Sequence, residues 1–200
     1  MNIILIGYRC TGKTSIGRLL SEMSGRPFFD TDELVCSRAG KNIAMIVADA
    51  GWAAFREKER SVIEEVSGSE GVVIATGGGA VLDPANVQCL KKNGRIIWLV
   101  ASADTVSRRM EGDVASGENR PPLSGESLAE EVRKTLVQRE PLYRQSADLV
   151  VDTDALAGKE VAAIIARAFP EIFGPFPPGG PGINKEKNDF RLNTPGSTPS

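Results

Sequence analysis

Asn2-Ile3-Ile4-Leu5-Ile6-Gly7-Tyr8-Arg9-Cys10-Thr11-Gly12-Lys13-Thr14-Ser15 decides the fold, because an apolar run breaks at a glycine and passes directly into a helical pattern. Five apolar or small residues without a charge suit a strand buried on both faces. Beyond the loop, apolar residues recur at Ile16, Leu19, Leu20 and Met23, a helical spacing closed by Gly25. Strand, loop and helix make half of a βαβ unit. Gly7 to Thr14 also satisfies the pattern G-x-x-x-x-G-K-[ST]. Its glycines let backbone N–H groups turn inward, and the following helix adds the positive end of its dipole. Cys10, Thr11, Gly12, Lys13, Thr14 and Ser15 therefore form the expected site for ATP phosphates, with Lys13 reaching the β and γ phosphates and the Thr14 hydroxyl offered to Mg²⁺.

Further apolar runs at 72–75, 95–100 and 149–151, and a shorter one at 27–29, predict more strands of the same sheet. Helical patterns at 52–66, 84–91, 104–110, 128–144 and 159–168 lie among them. The alternation predicts an α/β fold with a parallel sheet covered by helices on both faces. Two segments break the rhythm. Residues 32–66 hold helices without a strand and predict a helical lobe, whereas 111–125, polar and rich in Gly, Ser and Pro, read as a lid. From 174 to 200 the chain is crowded with Pro, Gly, Asn, Ser and Thr and reads as a disordered tail, so 1–173 is expected to be one domain.

The 200 residues carry a net charge of only -2, which points to neither a nucleic-acid nor a membrane partner. No apolar run approaches the roughly 18 residues needed to span a bilayer, and residues 1–6 show no basic leader, so a cytoplasmic location is expected. Cys10, Cys36 and Cys89 are odd in number and widely spaced, which fits reduced thiols rather than disulfides or a zinc knuckle. Histidine is absent altogether. That excludes histidine-dependent hydrolases and histidine-ligated metals, and leaves carboxylates, Lys, Arg, backbone amides and a bound metal to carry any chemistry.

A phosphate loop of this type is usually completed by an acidic residue at the end of another strand. The strand at 72–75 ends in Thr76-Gly77-Gly78-Gly79, without a carboxylate. Asp30-Thr31-Asp32, after the run at 27–29, supplies two. Residues two apart in extended chain point the same way, so both carboxylates can face the loop, one for the metal and one for an acceptor hydroxyl. Either would also serve as the N-cap of a helix starting near Glu33. The three consecutive glycines cost about 0.5 to 1 kcal/mol each relative to Ala, which favours a backbone that approaches a ligand closely.

Arg56 stands one helical turn before Glu59 and beside Trp52 and Phe55, either as a surface pair or as a partly enclosed arginine suited to a carboxylate. Arg120, within Arg120-Pro121-Pro122-Leu123, sits in the expected lid, where it would neutralise charge on a transferring phosphate. Arg139 comes late in a helix that Pro141 is expected to interrupt.

Taken together, the phosphate loop, Asp30-Thr31-Asp32, Phe55-Arg56 with Glu59, Thr76-Gly77-Gly78-Gly79, Arg120-Pro121 and Arg139 with Leu142-Tyr143 resemble the shikimate kinase family, from the first strand to about residue 168. The resemblance implies a nucleoside-monophosphate-kinase-like three-layer fold with a five-stranded parallel sheet, a substrate-binding helical lobe and a lid. It implies transfer of the ATP γ-phosphate to the 3-hydroxyl of shikimate, on the route to chorismate and the aromatic amino acids. By the same resemblance Thr14 and Asp30 serve Mg²⁺, Asp32, Arg56, Gly77, Gly78, Gly79 and Arg139 hold shikimate, and Lys13, Asp32 and Arg120 are catalytic, with Arg120 acting on ATP. A monomer is expected. Trp52, where many members have Glu, and Pro122, where many have Leu, are similar to the second bacterial isoenzyme type. A kinase of gluconate or of a nucleoside monophosphate, and a non-catalytic nucleotide-binding regulator, are the competing readings.

Overall fold

The computed structural model describes residues 1–112 and 127–174. Its centre is a five-stranded sheet in the order β2-β3-β1-β4-β5, built from β1 (Asn2–Ile6), β2 (Phe28–Asp30), β3 (Val73–Ala75), β4 (Gly94–Val100) and β5 (Leu149–Asp152). Every pairing is parallel, with Ile4 opposite both Ile74 and Ile96. All five strands expected from the sequence are present.

The helices are α1 (Lys13–Ser24), α2 (Thr31–Ala39), α3 (Ile43–Ser67), α4 (Pro84–Lys92), α5 (Ala103–Gly112), α6 (Leu128–Ser146), α7 (Gly158–Ala168) and the short α8 (Pro170–Phe173). Strand periodicity divides the apolar side chains between two cores. Ile4, Ile6, Ile74, Ile96 and Trp98 pack on α3, α4 and α6 through Phe55, Val62, Ile63, Leu90 and Tyr143. Ile3, Leu5, Val73, Ile97 and Leu99 pack on α1 and α7 through Ile16, Leu20, Val161 and Ile165. Each fully buried Ile or Leu contributes on the order of 1.5–3 kcal/mol, so a sheet covered on both faces is the dominant stabilising feature.

Two local details depart from the sequence reading. The helix expected at 52–66 begins earlier, at Ile43, capped by the Asn42 side chain accepting from the Met45 N–H, and it bends at Gly51, whose φ is 78°. Helical periodicity fails at such a bend, because only the second half shares one axis with Phe55 and Val62. Pro141 does not interrupt α6, which runs on to Ser146. The proline forgoes one bond, to the carbonyl of exposed Val137, while buried Tyr143 anchors the last turn by stacking on Trp98 at 5.6 Å.

Of the segment expected as a lid, residues 111 and 112 close α5 and 113–126 lie outside the described residues, Arg120 among them. Of the segment expected as a tail, Gly174 caps α8 and 175–200 lie outside them. Among the described residues no helix is long and apolar enough to cross a membrane.

Candidate active site

The order β3-β1-β4 reverses the direction of winding at β1, and the loops beyond the carboxyl ends of β1, β2 and β3 meet there. The phosphate loop leaves β1 with Gly7 at φ 140°, Cys10 at 59° and Gly12 at 92°. These left-handed residues turn the chain tightly into α1, whose first turn contains Lys13 and Thr14. Lys13 is buried, and its Nζ donates to the Tyr8 carbonyl at 2.6 Å. Thr11 Oγ1 donates to the same carbonyl at 2.9 Å. Cys10, Gly12, Thr14 and Ser15 line the adjoining cleft with Lys13.

Asp30 performs two tasks with its two oxygens. Oδ2 accepts from Thr14 Oγ1 at 2.7 Å, and Oδ1 accepts from the N–H of Asp32 at 3.0 Å and of Glu33 at 3.3 Å, which caps α2. Asp30 and Asp32 therefore do not share one extended strand, contrary to the expectation from their spacing. Asp30 ends β2, whereas Asp32 already lies in the first turn of α2, so helical geometry orients it. Asp32 nevertheless reaches the centre, lining both the phosphate cleft and a second cavity beside it.

That second cavity is lined by Asp32, Arg56, Gly77, Gly78, Gly79 and Arg139, with Trp52, Phe55 and Ile43 as an apolar wall. Side chains occupy the space above Gly77 and Gly79, and the phosphate-loop backbone lies against Gly78. A Cβ on Gly77 would come within 2.6 Å of Asp32 Oδ1 and 2.5 Å of Glu59 Oε1, and one on Gly79 would collide with the Arg56 guanidinium. Arg56 is no surface pair. Its Nη1 donates to Glu59 Oε2 at 2.5 Å, Glu59 is 1% exposed, and the guanidinium lies 5.5 Å from the Trp52 ring centroid and 5.1 Å from that of Phe55. Arg139 Nη1 and Tyr143 Oη both donate to the Gly78 carbonyl, at 3.1 and 2.5 Å. Burial pushes the Tyr143 phenol up to about 12, against the opposing charges of Arg139 and Arg56, so the hydroxyl remains a donor.

The oxygen set Thr14 Oγ1 and Asp30 Oδ2 suits a hard cation such as Mg²⁺. Among the described residues no cluster of three or more His, Cys, Asp or Glu forms a cage that would hold a metal unaided. A pair of protein oxygens at a phosphate loop fits an ion that takes its remaining ligands from phosphates and water.

The family model described as shikimate kinase matches residues 9–169. The chain belongs to the shikimate kinase family. A shikimate kinase of Syntrophus aciditrophicus is 46% identical over 176 residues, covering 84% of this chain and 90% of the relative. A protein of Sodalis glossinidius named shikimate kinase 2 is 35% identical over 169 residues, covering 84% of this chain and 96% of the relative. Among solved structures, a shikimate kinase from Acinetobacter baumannii in complex with shikimate superposes with a TM-score of 0.79 at 33% identity, over 85% of this chain and 93% of that one. As a member of the shikimate kinase family, the chain is an ATP-dependent phosphotransferase with the parallel α/β kinase fold.

Two site elements escaped the sequence reading. Arg109 of α5 grips the phosphate loop from behind, Nη1 donating to the Cys10 carbonyl at 3.2 Å and Nη2 to the Thr153 carbonyl at 2.7 Å. It lines a hollow with Thr11, Ser15, Thr153 and Leu156 that continues the phosphate cleft on the far side. Arg9, inside the loop itself, donates from Nη2 to Glu131 Oε1 of α6 at 2.6 Å. No local pattern signals either contact, since the partners lie 44 to 122 residues apart.

Proposed function

We propose that the chain transfers the γ-phosphate of ATP to the 3-hydroxyl of shikimate, giving shikimate 3-phosphate and ADP. The single observation that carries this reading is a cavity for a hydroxylated carboxylate, with Arg56 and Arg139 on its wall, that shares Asp32 with the phosphate cleft. Two guanidinium groups and one carboxylate complement an acceptor bearing one carboxylate and several hydroxyls far better than a nucleobase.

In this reading Arg56, held rigid by Glu59 and the two aromatic rings, and Arg139, held by Gly78, bind the shikimate carboxylate. Asp32 accepts hydrogen bonds from the hydroxyls and takes the proton of the attacking one. The amides of Gly77, Gly78 and Gly79 lie along the acceptor. Lys13 and the loop amides of Cys10 to Ser15 hold the ATP phosphates, and the Arg109 hollow receives the nucleoside. Thr14 and Asp30 hold Mg²⁺, which when bound neutralises charge on the phosphates. Arg120, outside the described residues, acts on ATP from the lid. Most of the rate then comes from positioning and charge neutralisation rather than covalent chemistry.

The same reading takes the helices from α2 through most of α3, about residues 32–66, as the acceptor-binding lobe, 111–125 as the lid, and 1–173 as one kinase domain. It takes the protein as a cytoplasmic monomer that engages neither nucleic acid nor membrane. An acceptor panel with ATP and Mg²⁺ tests it. Phosphorylation of shikimate with gluconate and CMP inert is expected, and the reverse pattern would sink the assignment.

A further inference from the structure

The Arg9–Glu131 pair has no part in the roles assigned above, yet it is the most enclosed ion pair among the described residues, with side chains 11% and 3% exposed. It also closes a ring. The Arg9 side chain grips Glu131 in the first turn of α6, and two helical turns further along the same helix Arg139 donates to the Gly78 carbonyl. Gly78 in turn rests on the phosphate loop, where a Cβ added to it would come within 3.3 Å of the Arg9 backbone nitrogen and 3.4 Å of the Gly7 carbonyl. Arg9 itself borders both the acceptor cavity and the phosphate cleft. Eight residues of helix span roughly 12 Å, so one rigid rod carries the Glu131 anchor at one end and the acceptor arginine at the other.

We propose that Arg9 and Glu131 are positioning residues for phosphoryl transfer: their ion pair fixes the end of α6 against the phosphate loop and so sets where Arg139 presents the acceptor to the γ-phosphate. Both act on the transfer through the placement of α6 and Arg139. A packing role alone would not need a charge pair at this place, because burying two charges costs more than burying apolar groups of similar size. A charge pair does fix a direction, since Nη2 and Oε1 meet at one point and a slide of α6 along its axis separates them. The inference rests on the assignment of Arg139 to the acceptor.

The test is a double-mutant cycle on the full chain with Arg9→Gln, Glu131→Gln and the two combined, and Arg38→Gln, which breaks an exposed pair with Glu65, as control. The double variant strands no buried charge and keeps the test readable if a single variant fails to fold. Expected for the double variant, once shown to be folded by circular dichroism, is a loss in kcat/KM for shikimate of about ten- to a hundredfold, the order that a displacement of about 1 Å produces. The loss should fall on kcat and on KM for shikimate, with KM for ATP within about threefold, and should not exceed that of either folded single variant. A folded double variant with wild-type kinetics overturns the inference, as does a strictly additive cycle or a loss confined to KM for ATP. Wild-type enzyme inert toward shikimate would defeat the functional reading first, and this inference with it.

Discussion

The Thr14 hydroxyl donates to Asp30 Oδ2 at 2.7 Å while the other oxygen of the same carboxylate caps α2, so one side chain joins the phosphate loop to the start of α2. The two tasks can be separated by substitution. Asn is as good an N-cap as Asp, whereas Ala forfeits about 1 kcal/mol. Asp30→Asn should therefore hold its melting temperature within a few degrees of wild type yet lose at least about tenfold in kcat, with the Mg²⁺ dependence moved to higher concentration. Asp30→Ala should lose both. Thermal melts together with Mg²⁺ titrations of the rate check this pair of outcomes, and unchanged Mg²⁺ dependence in Asp30→Asn would remove Asp30 from the metal site.

Arg56 and Glu59 form a buried pair in which Glu59 is 1% exposed. Removing the arginine takes a charge-assisted hydrogen bond from that carboxylate, so Arg56→Ala should destabilise the protein by about 1.5–3 kcal/mol in urea unfolding. Arg56→Lys retains the charge but not the planar fork. KM for shikimate should rise by about ten- to a hundredfold, equivalent to roughly 1.5–3 kcal/mol for a charged hydrogen bond, with KM for ATP within about twofold. An equal rise in both constants would place Arg56 elsewhere in the mechanism.

Cys10 holds φ at 59°, a left-handed conformation that costs a residue with a Cβ about 1–2 kcal/mol. Glycine adopts it freely but loses about 0.5–1 kcal/mol through its more flexible unfolded chain. Cys10→Gly should thus be more stable by about 0.5–1 kcal/mol, with KM for ATP unchanged, because glycine retains the carbonyl that accepts from Arg109. Denaturant midpoints read the sign directly, and a destabilised Cys10→Gly would show that the thiol itself supports the loop.

Burial raises the Tyr143 phenol from 10.0 to about 12, so the fold favours its neutral form. The stability this supplies is complete below the unfolded value of 10.0 and is lost as pH rises from there through about 12. The stability difference between wild type and Tyr143→Phe should be flat from about pH 7 to 9 and shrink above pH 10. Urea unfolding at stepped pH measures it, and a difference that changes at neutral pH would contradict the buried, neutral phenol.

Much of this molecule was legible in the chain. Asn2 to Thr14 dictated a buried strand and an anion-binding helix terminus, and the lack of an acid after Ala75 left Asp30 and Asp32, which follow the run at 27–29, as the candidate carboxylates. Capping consumes only one oxygen of the Asp30 carboxylate and leaves the other on Thr14 Oγ1, so the cap does not compete with the proposed metal role. The glycines at 77–79 marked a close approach, but the groups approaching them, Asp32, Glu59 and Arg56, come from other elements and emerge only from the packing. The bend at Gly51 was hidden because a glycine inside an apolar helical pattern reads equally as a tolerated residue or as a turn. Arg9 and Arg109 were illegible for a plainer reason. A surface arginine and a buried one look alike in sequence when the partner, Glu131 or Thr153, is dozens of residues away.

The most direct test of the central claim is a coupled ADP-release assay on the full chain with shikimate, with and without Mg²⁺, in which ³¹P NMR locates the new phosphate. Magnesium-dependent ADP release that requires shikimate, with phosphate on the 3-hydroxyl, is the predicted result. ADP release indifferent to shikimate, or phosphate carried by another acceptor from the panel, would contradict it.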